Sequence, residues 1–509
     1  MGGEAGQERD LILGRAGRNA RRFVWFRTLF NCRFYYVVYT ILFLDLGLDL
    51  RQFALLHVLW AATIILLEVP SGALADWLGR KTLVVVSAWL MVVEMLLLLA
   101  VPVGQPVWTF WILAFNRIVS GAAEAAASGA DEALAYDSWP EGERADRWPG
   151  ILVSLTRLMA AGFVLSAIIG GLVYDARIMT SVWRFLGGPG EVAADLSLKF
   201  PIFLNLIAAV CCVVVACRME EPGGGRGHRA SGRPEGIRGA FREVGATARW
   251  IWRSPAVLVL IVLGLFFDHL VRMFYTISSN FYRLIEIPEW AFGAIGAGAA
   301  LAGIFTGGLM GWMVKRWGAS TNFLVVTLLI FAGLLGLAWP VAKWGLLGVV
   351  PLLLVMRFLQ FFLSHYLNAV TDSTRRATVL SFKGLSMNLG YAAINLLFLV
   401  QTGYLAGRYR EGELEASGRV QELAQRHARG GGSAGGDEAA FLEETTVFAA
   451  SLSWAPIYFS LGLGLILLWV WARYRRGLDG LILSGMKAVG GDEAIRDRSR
   501  GSLGSDLSP

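Results

Sequence analysis

Apolar residues in this chain come in blocks of about 20, each long enough as a helix to cross about 30 Å of hydrocarbon. Short polar turns part the blocks along the whole sequence. The pattern predicts about twelve membrane-spanning helices, near 23–44, 53–75, 82–103, 107–135, 149–173, 200–218, 255–279, 290–314, 321–341, 345–368, 379–406 and 447–473. The blocks are too long for the strands of an outer-membrane barrel and lack their alternation.

Composition agrees. Of 509 residues, 55% are hydrophobic and 17% charged, and the mean hydropathy is +0.54. A soluble protein of this size carries more charge. Sixty glycines suit close helix contact in lipid. The expected fold class is an all-α membrane protein of two six-helix bundles.

Charge sets the expected orientation. Arg15, Arg18, Arg21 and Arg22 precede span one, Arg80 and Lys81 follow span two, and Arg144 and Arg147 follow span four. Lys315 and Arg316 follow span eight, Arg375 and Arg376 span ten, and Arg473, Arg475 and Arg476 span twelve. The opposite loops are poorer in Lys and Arg. By the positive-inside rule both termini are cytoplasmic. The net charge of +7 belongs to these loops and does not point to nucleic acid.

The expected division is a cytoplasmic segment 1–22, a bundle 23–218, a basic linker 219–254, a second bundle 255–474 and a tail 475–509. In the linker, Pro222, Gly223, Gly224, Gly225 and Pro234 predict flexibility. Ala240–Arg253 reads either as plain solvated linker or as a surface helix with Phe241, Trp250, Ile251 and Trp252 in lipid. Residues 174–199 and 407–446 are expected external insertions, to which the sequence gives no function. The N-terminus shows no cleavable signal pattern.

The four cysteines, Cys32, Cys211, Cys212 and Cys217, have no metal or redox spacing. The histidines His57, His228, His269, His365 and His427 are scattered. No cofactor, metal or enzymatic constellation is expected, and no ATP-binding glycine loop is visible.

The segment Gly72-x-x-x-Asp76-x-x-Gly79-Arg80-Lys81 joins spans two and three, preceded by Glu68-Val-Pro-Ser. It resembles the loop 2–3 signature of the major facilitator superfamily. The resemblance implies two related halves and alternating access. It also implies a latch, in which Asp76 and Arg80 close the cytoplasmic side, for instance against Ser381–Lys383 at the start of span eleven. Gly311 to Gly318 repeats the pattern one half-chain later, with Lys315 at the Asp76 position. Leu113-x-x-x-Arg117-x-x-Ser120-Gly121 resembles the family's span-four motif. Ser128 to Asp137 resembles the end of span four in bacterial drug-efflux-like members. Gly162 to Gly171 resembles an antiporter motif, with Ser166-Ala167 where the family has Gly-Pro.

Charges inside the membrane need a partner or a water-filled cavity. The family's cavity-lining spans one, four, seven and ten carry Arg33, Arg117, Glu124, Asp268, His269, Arg272 and Arg357. Arg33, Arg117 and Arg357 read as substrate or coupling groups and Asp268 or Glu124 as a proton carrier; static ion pairs that fix helix rotation are the other reading. Glu94, in a span that is peripheral in the family, is expected to pack or snorkel. Glu68, Asp131, Glu132 and Asp137 are expected to form a gate network with Arg157 as counter-ion.

The resemblance implies a secondary transporter of the bacterial inner membrane, expected as a monomer and coupled to protons. Efflux of small amphipathic compounds is the first expectation. An organic anion or metabolite carrier is the second, and a non-transporting sensor or scaffold with the same fold the third.

Overall fold

The computed structural model describes residues 2–102, 105–221, 237–371, 376–429, 438–475 and 477–487. The Gly223–Gly225 stretch of the linker, Arg375, Gly430–Gly436, Arg476 and the end of the tail lie outside them.

The first half begins with α1 (Gly2–Asn31), a short turn (Tyr36–Val38) and α2 (Tyr39–Asp45), which together form span one. Spans two and three are α3 (Leu50–Leu78) and α4 (Arg80–Leu99). Span four is α5 (Pro106–Ala127) and α6 (Ala130–Asp137), and span five is α7 (Glu141–Tyr174). Two short helices, α8 (Ala176–Phe185) and α9 (Ala194–Ser197), lead to span six, α10 (Phe200–Arg218). The linker carries α11 (Ile237–Arg253).

The second half holds α12 (Pro255–Leu284), α13 (Glu289–Arg316), α14 (Ala319–Ala338), α15 (Gly345–Ala369) and α16 (Arg376–Arg410) as spans seven to eleven. After α17 (Gly418–Arg429), span twelve is built from α18 (Glu438–Leu452) and α19 (Ala455–Tyr474). Helix therefore runs further into the predicted insertion 407–446 from both sides, because Arg410 and Glu443 pair at 2.8 Å and hold the two ends together.

Among the described residues nine helices are long and apolar enough to cross a membrane, or ten if the bent pair Glu289–Gly303 and Thr306–Arg316 is one span. The predicted spans missing from that set are one and four. Each is interrupted, at Cys32–Tyr35 and at Ser128–Gly129. The break in span one frees backbone groups, which must find partners in lipid. Asn205 of α10 accepts from the Phe34 amide at 2.8 Å, and Ser279 of α12 accepts from the Thr40 amide at 3.0 Å. Gly170 of α7 lies against the Phe34 carbonyl, where a Cβ has no room.

The halves meet through α7 on α13 and α3 on α16. The backbones come close where Gly293 lies against the Ala167 carbonyl and Gly171 against Gly293, near the end opposite the basic loops. Toward the basic end Gly72, Gly307, Gly308 and Gly311 face open space, and Leu152, Val153 and Leu309 are exposed. At these positions α3, α7 and α13 are uncovered by other parts of the protein. At the same end α11 touches α3, α12 and α16. Its Ile251 is buried and Trp250 packs on the protein core, so these two are not the lipid-facing residues the pattern suggested. Trp252 is exposed, with the Arg473 guanidinium 5.8 Å over its ring.

Candidate functional site

Glu94 is the centre of the first half. Its side chain, fully buried in α4, receives Arg33 at 2.9 Å and Arg117 at 3.2 Å. Tyr35 donates a further hydrogen bond at 3.2 Å. Asn116 donates to the Glu94 carbonyl at 2.6 Å and accepts from Arg117 Nε at 3.0 Å. Two guanidiniums therefore share one carboxylate, and the geometry is fixed from three helices. The expectation that Glu94 packs or snorkels is corrected: span three turns this carboxylate inward because two cations there need it. Arg33 and Arg117 are both held as partners of Glu94, with Arg117 also donating to Tyr39 at 2.6 Å.

Asp268 is the centre of the second half and is fully buried. Arg272, one helical turn away, lies 2.7 Å from it, and Gln360 of α15 donates to it at 3.0 Å. Arg272 also donates to Asn388 of α16 at 2.9 Å and lies over the Tyr391 ring. His269 turns away, toward Tyr458 of α19 at 3.1 Å.

The two centres are joined. Tyr391 of α16 shares a hydrogen bond with His57 of α3 at 3.0 Å. The His57 ring packs edge-on against Tyr39, the residue that accepts from Arg117. A polar thread thus runs Glu94–Arg117–Tyr39–His57–Tyr391–Arg272–Asp268 across the seam. His57 was one of the scattered histidines in sequence, and only tertiary packing gives it a place.

Glu68, Glu124 and Arg357 remain uncommitted among the described residues. Glu68 of α3 and Glu124 of α5, two helices packed on each other, are half-buried, and neither side chain has a hydrogen-bond or ion-pair partner among the described residues. Glu124 lies seven residues from Arg117, so it shares that face of α5. Arg357 is exposed and lies against Gly303 of α13. It shares a face of α15 with Leu353 and Gln360, which both contact α12, so its exposure is to the space between helices.

At the basic end, Gly79 adopts φ +94°, a conformation that favours glycine, and lets α3 turn into α4. Arg80 pairs with Asp137 at the end of α6, within its own half, rather than reaching Ser381 or Lys383. Lys81 is half-buried. The Arg80 and Lys81 amides donate to the Glu221 carboxylate at 3.2 and 2.7 Å. Gly72 is exposed, and the Asp76 side chain lies outside the described residues. Asp131 is fully buried and paired with Arg27 at 2.6 Å, while Arg157 is exposed on α7. The counter-ion of Asp131 is therefore Arg27, which faces inward from span one, while Asp137 takes Arg80 and Arg144; the expected single network with Arg157 is not formed. A hydrogen bond of 3.0 Å from Arg22 holds the Glu220 carboxyl below its usual range.

The second half repeats the Glu221 arrangement. Asp479, beyond α19, accepts from the Ser320 amide at 2.9 Å and lies against Gly318. In both halves a carboxylate that follows the sixth helix caps the third.

At the opposite end, Arg283 of α12 binds Asp45 of α2 and Glu289 of α13. Tyr174 of α7 donates to Asp45 at 2.6 Å. Sequence reasoning missed this cluster, since charges at the ends of apolar blocks read as boundaries.

Two helical halves packed against each other around buried charges are the architecture of a membrane transporter. The Major Facilitator Superfamily model matches residues 25–395, and the chain belongs to that family. Its fold is similar to that of a bacterial homolog of the human lysosomal transporter Spinster, in an inward-facing and unoccupied conformation, with TM-score 0.62, 15% identity, and 92% of this chain and 98% of that chain covered. The nucleoside transporter NupG is similar with TM-score 0.57, 11% identity, and 88% and 98% covered. A D-xylose-proton symporter gives TM-score 0.57, 11% identity, and 87% and 97% covered. No curated protein matches the sequence.

Proposed function

We propose that this chain is a secondary active transporter that exports small amphipathic compounds by alternating access, with protons as the coupling ion. It works as a monomer in a bacterial inner membrane. The loops rich in Arg and Lys face the cytoplasm, with both termini, so the solute enters from the side where Gly72 and Gly311 are uncovered.

The observation that carries the reading is the Glu68–Glu124 pair. Arg33 and Arg117 are balanced by Glu94, and Asp268 by Arg272. Glu68 and Glu124 alone among these carboxylates have no cation of the protein beside them. A carboxylate so placed serves a proton or the cationic head of a solute, and the exposed aromatics Tyr36 and Tyr275 suit its apolar part.

The test is flux of an amphipathic cation in proteoliposomes under an imposed pH gradient. Wild type is expected to respond to the gradient and Glu124→Gln to lose that response. Flux that ignores the gradient overturns proton coupling, and an unaltered Glu124→Gln overturns the role of the pair.

Arg357 favours a second reading, a carrier of organic anions or metabolites. It is exposed and has no carboxylate within ion-pair distance among the described residues. Arg357→Ala abolishes transport on that reading and leaves export of a cation nearly intact on the first.

A further inference from the structure

Helix α8 follows α7 without a loop. Asp175 ends one helix and caps the other, its Oδ1 accepting from the Arg177 amide at 2.9 Å and the Ile178 amide at 3.4 Å. The residue before it, Tyr174, is tied to Asp45, so α8 starts at the level where the spans end, opposite the basic loops.

The helix is sharply two-sided. At 100° per residue, Ile178, Met179, Val182, Phe185 and Leu186 fall on one arc. Arg177, Thr180, Ser181 and Arg184 fall on the other. No residue of α8 is buried. Ile178 and Met179, nearest α7, are half-buried, while Val182 is 44%, Phe185 90% and Leu186 72% exposed, so the outer part of the apolar arc has no protein cover. The helix packs only on α7 and α9 to any extent. Trp183 lies at the edge of the arc, held by a hydrogen bond from Nε1 to the Pro189 carbonyl at 3.1 Å.

We propose that α8 is an interfacial helix that lies in the lipid surface at this end of the protein, its apolar arc in the acyl boundary and Arg177 and Arg184 toward anionic headgroups. A short helix with a clean apolar face, a tryptophan at its edge and two arginines opposite matches what the headgroup layer accepts. The placement argues for lipid over a protein partner. The helix leaves a membrane span at the bilayer boundary, and its cations sit on the side away from the apolar arc. Arg184 also pairs with Glu191 at 2.9 Å, so Arg177 carries the freer charge. Through Asp175 and Tyr174 the helix is coupled to the Asp45–Arg283 pair. Opening of that end must drag α8 through the headgroups.

The test places a spin label at Val182→Cys or Ser181→Cys, with Cys32, Cys211, Cys212 and Cys217 replaced by serine. The protein is reconstituted into phosphatidylcholine vesicles, or vesicles of equal parts phosphatidylcholine and phosphatidylglycerol. The label at 182 is expected to meet oxygen more than a nickel chelate, and the label at 181 the reverse. The contrast is expected to grow with phosphatidylglycerol, and Arg177→Gln to remove that growth. Equal nickel access at both positions overturns the proposal, and so does shielding of 182 from both reagents. A photo-crosslinking residue at 182 in the unaltered chain guards against misfolding of the cysteine-free protein. Lipid adducts support the proposal, and protein adducts alone overturn it.

Discussion

Arg283 grips Asp45 through two parallel hydrogen bonds of 2.8 and 2.7 Å, joining span seven to span one across the seam between the halves. Both side chains are largely withdrawn from solvent, at 15% and 13% exposure. Bidentate pairs of this kind are strong and directional.

Breaking that pair should favour the state open at its end. Asp45→Asn is expected to shift the equilibrium by about 2 kcal/mol, roughly thirtyfold. Spin labels at Gly47 and Glu286 read the change by pulsed dipolar spectroscopy as a longer distance. An unchanged distance distribution would show that the pair does not hold the end closed.

Glu94→Gln leaves Arg33 and Arg117 buried without their carboxylate. Removal of one member of such a group costs about 3–5 kcal/mol. The melting temperature in detergent should fall steeply, and Glu94→Asp should recover part of the loss. A melting temperature equal to wild type would sink the assignment of Glu94 as the hub.

Glycine substitutions should separate by position. Gly170→Ala drives a Cβ into the Phe34 carbonyl, and Gly293→Ala into the Ala167 carbonyl. Backbone cannot yield as a side chain can, so both should express poorly. Gly298→Ala and Gly72→Ala face open space and should express as wild type. Fluorescence size-exclusion profiles distinguish the two classes.

The carboxylate caps should protect the turns they cover. Glu221→Ala is expected to cost about 0.5–2 kcal/mol, as loss of a helix N-terminal cap does. Amide exchange at Arg80 and Lys81 should speed up, and Asp479→Ala should do the same at Ser320. Gly79→Ala adds strain of about 1–3 kcal/mol at its positive φ. Unaltered exchange would show that water serves these amides equally well.

The span pattern was legible because a bilayer demands long apolar blocks, and the Gly72–Lys81 spacing placed the chain in its family. The breaks in spans one and four were not. The break in span one is met at Phe34 and Thr40 by hydrogen bonds to Asn205 and Ser279, which lie far along the chain. Arg117 was legible as a buried cation in a motif, but its partner was not, because Glu94 turns inward for reasons that no single helix contains. Arg157 was chosen for Asp131 by depth alone, and depth does not fix which side of a helix faces a neighbour. Arg27, in the first span, does face it. Glu221 and Asp479 were invisible as a pair, since each lies in a polar run that follows an apolar block.

Those last two residues bear on how the molecule moves. Each straps the end of its bundle to the turn between that bundle's second and third helices, so that turn stays with its own unit while the strap holds. A change of state would then be taken up at the surfaces where the two units meet. Substitutions inside a unit should change how long the protein survives, and substitutions along the seam should change how fast it cycles.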